Sequence, residues 1–252
     1  MVNYSLKSSD TLPTTTAHQS RLRIFQPTRR PVWLDETYQT KWGTCKVTGK
    51  IGQSHADVLE SIFFKAEKFE FLDSGGMKIL VDPFKVRSTA GGDKLNKAQL
   101  DKLLKDLMAV VIELKIDLNN DRSFGHIIDE VNETNVKAIT RPGAIGQNRK
   151  MWRVDISKNF LKLINSDIKL YYDPAPIAQL TNGISQAIAR HVLTHKSAPS
   201  GGWTVDKLIE AVGAGSSQKD KSNRRAELKR DAEGLKIIGL LLENGRILRK
   251  GD

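Results

Sequence analysis

The stretch "SSQKDKSNRRAELKR" (216–230) carries six cations and two anions immediately after a glycine-bearing break. It runs into "DAEGLKIIGLLLENGRILRK" (231–250). Leu228, Ala232, Leu235 and Ile238 recur at the helical period, so the spacing predicts one long helix with a single apolar stripe. Asn244-Gly245 between apolar runs predicts a two-stranded hairpin, because that pair accepts the positive φ angles of a tight turn. Just upstream, "GGW" reads as a glycine turn and "TVDKLIEAVG" as a short helix capped by Thr204. Before them, "APIAQLTNGISQAIARHVLTHKS" reads as a helix with Ile184, Ala187 or Ile188, and His191 or Val192 on its inner face. Helix, short helix, long helix, then hairpin is the order of a winged helix.

The same order is legible nearer the N-terminus. "KWGTCKVTGKI" (41–51) alternates as a strand, and "GQSHADVLESIFFKAEKF" reads as a helix with Ser54 as N-cap and Val58, Ile62 and Ala66 inward. "GGMKILVDP" is a short strand, and "DPFKVRSTAG" a short helix with Asp82 as cap and Pro83 at its first position. "LNKAQLDKLLKDLM" is a helix with Leu100, Leu103 or Leu104, and Leu107 inward, followed by the strand "VVIELKID" (110–117). "LNNDRS" and "VNETNV" read as turns around "FGHIIDEV" and "VKAIT"; the loop 141–150 then leads to the strand "MWRVDIS". The expected fold class is α+β: two tandem winged-helix domains, 34–165 and 166–252. The Ser/Thr-rich segment 1–33 is expected as a flexible N-terminal arm.

Charge agrees with a polyanionic partner. The 252 residues hold 40 Lys+Arg against 29 Asp+Glu, a net charge of +11, and basicity concentrates at the two ends. The single cysteine, Cys45, excludes an intrachain disulfide and a thiolate metal site within one chain. No run approaches a membrane span and the N-terminus lacks a secretory apolar region, so a cytoplasmic protein without a membrane partner is expected.

A winged helix reads DNA with its third helix. In 216–230 the surface outside the apolar stripe offers Asn223, Arg224 and Arg230 for base edges and phosphates, with Arg225 nearer the stripe's edge. Lys219 and Lys221 suit phosphates at the helix start, and Arg246 the hairpin tip. In the first copy the matching cations are Lys94, Lys97 and Lys102, interleaved with acids, and the loop supplies Arg141, Arg149 and Lys150 as a wing. Each of these also reads as an ordinary solvated face or loop. "RRP" (29–31) either follows a minor groove or is disordered.

Catalytic patterns are missing. "VGAGSS" and "GAIGQNRK" lack the Gly-Lys-Ser/Thr ending of a phosphate-binding loop. His191 and His195 lie four apart without H-E-x-x-H, and Tyr171-Tyr172 has no His-x-His metal site of a nicking enzyme beside it. Neither a cofactor nor an enzymatic step is expected.

"AELKRDAEGLKIIGLL" resembles the last helix and following strand of plasmid replication initiators of the TrfA/RepC type, through Leu228, Leu235, Gly239 and Leu240. "WRVDISKNFLKLIN", "LTNGISQAIARHVLTHKS" and "QLDKLLKDLMAVVIEL" resemble further elements of that family, and the resemblance spans roughly 42–252. It implies binding of double-stranded origin repeats (iterons) by both winged helices, opening of an AT-rich region and loading of a replicative helicase, often with a host initiator. It also implies exchange between a self-dimer and a monomer. Two other readings of the residues stay open: a winged-helix transcriptional repressor, and a scaffold whose basic faces dock acidic proteins.

Overall fold

The computed structural model describes residues 12–39, 43–116, 121–138, 149–165, 168–215 and 217–250. From the N-terminus, β1 (Thr15–Thr16) and α1 (Ala17–Arg21) precede β2 (Leu34–Gln39), β3 (Gly43–Gly49) and α2 (Gln53–Phe64). There follow β4 (Ala66–Phe71), β5 (Met77–Val81), α3 (Pro83–Gly91), α4 (Lys97–Ala109), β6 (Val111–Ile116) and β7 (Asp121–Gly125). Next come β8 (Ile128–Lys137), β9 (Lys150–Ile156), α5 (Lys158–Asn165), β10 (Lys169–Leu170) and α6 (Ala175–Ala178). The chain ends with α7 (Gly183–Leu193), β11 (Trp203–Thr204), α8 (Val205–Ala211), α9 (Gln218–Arg230), α10 (Ala232–Ile237), β12 (Leu240–Glu243) and β13 (Arg246–Arg249). The class is α+β.

Two antiparallel four-stranded sheets, ordered β2-β3-β6-β7 and β4-β5-β9-β8, flank the first set of helices. Alternation explains the strands: β3 buries Cys45 and Val47, while β5 buries Met77, Ile79 and Val81. Burial pushes the Cys45 thiol up to about 12, which leaves it an inert core residue. Asp82 caps α3 by accepting from Phe84 N at 2.9 Å, and Asn96 caps α4 by accepting from Gln99 N at 2.9 Å. Leu100, Leu104 and Leu107 then turn the apolar stripe of α4 inward. A second apolar core gathers Ile184, Ile188 and Val192 of α7 with Leu208, Leu228, Leu235 and Ile247. The β12-β13 hairpin turns at Asn244 (φ 46°) and Gly245 (φ 72°), and β11 adds to it in the order β11-β13-β12.

Several expectations are corrected. The helix before β4 stops at Phe64, so Ala66 starts a strand that the helical period concealed. "VNETNV" is not a turn but part of β8, an edge strand whose register shifts absorb these polar residues. The helix through 175–197 is two, α6 and α7, with Asn182 in extended conformation at the second start. The long helix of the second unit breaks at Asp231, whose carboxylate accepts from Thr181 N and Asn182 N at 3.0 and 2.9 Å. Burial opposes the Asp231 charge, but Ser185, these amides and the Asn182 side chain together hold its carboxyl below the usual range. The segment expected as a flexible arm is packed from residue 12 to 31, with Val32 and Trp33 exposed at its end; residues 1–11 lie outside the described residues. Leu22, Ile24 and Phe25 enter the first core, and β1 pairs with β10. Its apolar cluster outweighs its Ser/Thr-rich composition.

Residues 27–31 form a strap threaded between the two cores. Thr28 O accepts from Gln53 N at 2.9 Å, at the start of α2. A Cβ on Gly52 would overlap the Thr28 carbonyl oxygen, and one on Gly183 would lie 2.5 Å from Thr28 Cα. Alanine's helix preference over glycine, up to about 1 kcal/mol, applies at most to Gly183 in the first turn of α7 and not to Gly52, the extended cap of α2, and backbone atoms do not rotate away from either clash. Gly52→Ala and Gly183→Ala are each expected to lower stability by about 1–3 kcal/mol, read as a shift of the urea midpoint.

The packing of α7 also sets a pH response. His191 sits beside His195, with ring centroids 5.0 Å apart. Burial first, then His195, Arg21 and Arg23, push His191 down to about 4. In the unfolded chain it takes its proton near 6.5, so stability is lost as pH falls from about 6.5 to about 4. Urea denaturation at pH 7 and 4.5 is expected to show this fall, and His191→Asn to reduce it.

Candidate nucleic-acid interface

In α9, Ser217 caps the start by accepting from Asp220 N at 3.1 Å, and Leu228 is the buried side chain. The rest of the helix is polar, but its cations differ in what they touch. Arg225 donates two bonds to Asp206 of α8, at 2.7 and 2.5 Å, and Lys221 pairs with Glu210 of the same helix. These two hold α9 onto α8. Arg224 pairs with Glu227 one turn on, at 2.8 Å. Lys219, Asn223 and Arg230 are exposed. Arg246, at the hairpin, donates to the Gly201 carbonyl at 3.1 Å and is exposed.

The third helix of the first set, α4, separates its cations. Lys102, with Lys94 just before the helix, lines a cleft that Arg224 and Arg230 of α9 line from the other unit. Lys97 lies elsewhere, in a hollow of about 310 Å³ with Phe84, Arg149, Lys150 and Trp152. There Arg149 donates to the buried Asp82 carboxylate at 3.0 Å and stacks over Phe84, its guanidinium carbon 4.7 Å from the ring centroid. Lys150 lies 3.9 Å from Glu133. Arg141 lies outside the described residues.

The cleft has a volume of about 1020 Å³. Seven cations line it (Arg29, Arg30, Lys50, Lys94, Lys102, Arg224 and Arg230) against two carboxylates, Asp106 and Glu227. Both carboxylates are engaged: Asp106 with His55 at 3.2 Å, and Glu227 with Arg224. Burial holds His55 below its usual range in spite of Asp106, so this ring adds no charge at neutral pH. Among the described residues, Arg30, Lys50, Lys94, Lys102 and Arg230 meet no carboxylate. Such a cavity concentrates positive potential between low-dielectric walls. Lys50 and the placement of the 29–30 pair escaped the reading of the sequence. The proline-flanked "PTRRP" is the signal that the pair is held rigidly.

One face of α2 meets one face of α7 through a buried polar network, and this sets how the two lysine- and arginine-bearing walls oppose each other. Arg190 donates to Glu60 Oε1 and Oε2, both at 2.9 Å, to Asp57 Oδ1 at 2.7 Å and to Gln53 Oε1 at 2.8 Å. Gln186 Nε2 donates to Asp57 at 3.0 Å, and Tyr172 OH to Glu60 at 2.8 Å. Burial opposes the Arg190 charge, but Glu60 and Asp57 hold the guanidinium fully protonated.

No family model matches the chain, and no curated protein matches it. A solved structure does: the crystal structure of domains 2 and 3 of RctB aligns over 92% of this chain and 95% of that one. The TM-score is 0.58 and the sequence identity 11%, a likeness of fold. Among the described residues no helix is long and apolar enough to cross a membrane, and no three His, Cys, Asp or Glu are placed to hold a metal ion.

Proposed function

We propose that this protein is a replication initiator that binds double-stranded DNA through two winged helices, with α4 and α9 as the reading helices. RctB, whose domains 2 and 3 share the fold, is a DNA replication initiator. The observation that carries the reading is the cleft: the third helix of each set contributes cations to one cavity with a large excess of positive charge. The three-stranded β11-β13-β12 sheet, whose β12-β13 hairpin follows α9 and α10 in the chain and which packs on α10 and α8, supports the wing. The finer reading follows the TrfA/RepC resemblance: iterons as target, origin opening driven by binding energy, and helicase loading with a host initiator. It assigns the protein no catalytic step and no cofactor.

Footprinting on the DNA flanking the protein's own gene tests this. Protection of tandem direct repeats beside an AT-rich tract is the expected result. Protection of an inverted repeat over a promoter would instead make the protein a repressor. Absence of any protected site at a concentration that saturates random duplex would remove the sequence-specific reading.

A further inference from the structure

We propose that Arg30 and Lys50 form a phosphate seat that holds the DNA backbone between the two reading helices. This rests on the duplex-binding reading above and adds a contact that neither helix supplies. The strap carrying Arg30 is rigidly placed. Thr28 is gripped between Gly52 and Gly183, and Gln26 pairs with Gly52 as an isolated parallel bridge. Arg29 turns inward, its Nη1 reaching the carbonyl oxygens of Ala178 and Leu180 at 3.3 and 3.2 Å. Arg30 comes next in the chain and is exposed at the cleft, and Lys50, just before α2, is exposed beside the strap. One arginine is therefore used to tie the strap to the second unit, while its neighbour projects a charge that no carboxylate meets.

The chemistry of the lining selects backbone phosphates. Arg30 and Lys50 stand at the junction of the units, not on a helix that enters a groove, so they are placed for the backbone between two reading elements. Among the lining residues there is no Phe, Tyr or Trp on which a nucleotide base would stack, whereas cations continue along both walls. A long polyanion meets all of these charges; a single nucleotide leaves most of them unmet. Bringing like charges into one cleft is unfavourable, and a phosphate chain relieves it by releasing its own counterions.

The probe is a random-sequence duplex of about 40 base pairs, with fluorescence anisotropy read between roughly 50 and 200 mM salt. Arg30→Ala/Lys50→Ala is expected to bind more weakly and to lower the log–log salt slope by about 1.8, two phosphates' worth. The control Lys68→Ala/Lys169→Ala, exposed cations outside the cleft, is expected to keep the wild-type slope. If the wild type binds duplex and the seat variant keeps its slope, the seat is overturned while DNA binding stands. An equal loss in the control overturns it too. If the wild type does not bind duplex at all, the broader reading fails first. A nucleoside triphosphate whose tight binding is lost in the seat variant, while duplex binding and its salt slope stay as in the wild type, would give the cleft to a small ligand and overturn the seat.

Discussion

Arg190→Met is expected to cost about 3–5 kcal/mol of folding stability, much of what a protein of this kind has. The side chain is buried and meets Glu60 with two bonds, Asp57 with one and Gln53 with one. Removing the guanidinium leaves Glu60 without a cation and Asp57 with Arg29 alone, 3.8 Å away, both carboxylates remaining buried. The loss therefore comes less from the attraction forgone than from the charges left behind, and this separates the variant from a simple cavity. Replacing the set together, as Arg190→Met/Asp57→Asn/Glu60→Gln, is expected to be less destabilising than Arg190→Met alone.

The pH dependence gives an independent reading. Burial already raises the Glu60 carboxyl above its ordinary value in spite of Arg190. Without the arginine it rises further, so the variant's deficit should be greatest at neutral pH and shrink as the solution is acidified toward the unfolded carboxyl range. Urea titrations of both proteins at pH 7 and pH 5 measure it. An Arg190→Met protein within about 1 kcal/mol of wild type at pH 7 would mean that water reaches the network and that the junction is not held this way.

That network shows where the sequence stops being readable. Val58 and Ile62 mark one face of α2, and the opposite face carries Gln53, Asp57 and Glu60 at helical spacing, the pattern of a solvated surface. It is buried because α7 presents Gln186 and Arg190 with the same spacing from far along the chain. Local chemistry was legible where it is self-contained: the Asp82-Pro83 cap, the Asn244-Gly245 turn, the alternation in β3 and β5, and the stripe of α4. Partner-dependent features were not. Nothing within 216–230 says that Lys221 and Arg225 are taken by Glu210 and Asp206, because α8 supplies both acids through packing. The cleft was equally hidden, since its walls come from five separate segments between residues 27 and 230, and each basic one alone reads as a solvated surface.

The second large effect concerns α9. Asn223→Ala and Arg224→Ala are each expected to weaken binding to the footprinted site by about 1–3 kcal/mol while leaving random duplex far less affected. Asn223 is exposed on the outer face, where an amide is positioned to pair with adenine. Arg224 is half-buried and held by Glu227 at 2.8 Å. That pair restricts the guanidinium before DNA arrives, so its two-pronged donor set meets a guanine edge with less conformational entropy to lose. Lys219→Ala and Arg230→Ala should behave differently: exposed point contacts to phosphate weaken specific and random duplex alike and lower the salt slope by about 0.9 each. Arg225→Ala makes the third class. Its guanidinium is committed to Asp206, so the expected cost is an exposed ion pair's, up to about 1 kcal/mol of stability, with discrimination intact. Gel-shift competition between the footprinted site and random duplex sorts the three classes in one series. Equal losses on both duplexes for Asn223→Ala and Arg224→Ala would move base reading away from this face of α9. A loss of discrimination in Arg225→Ala would mean that the α8 contact opens when DNA binds.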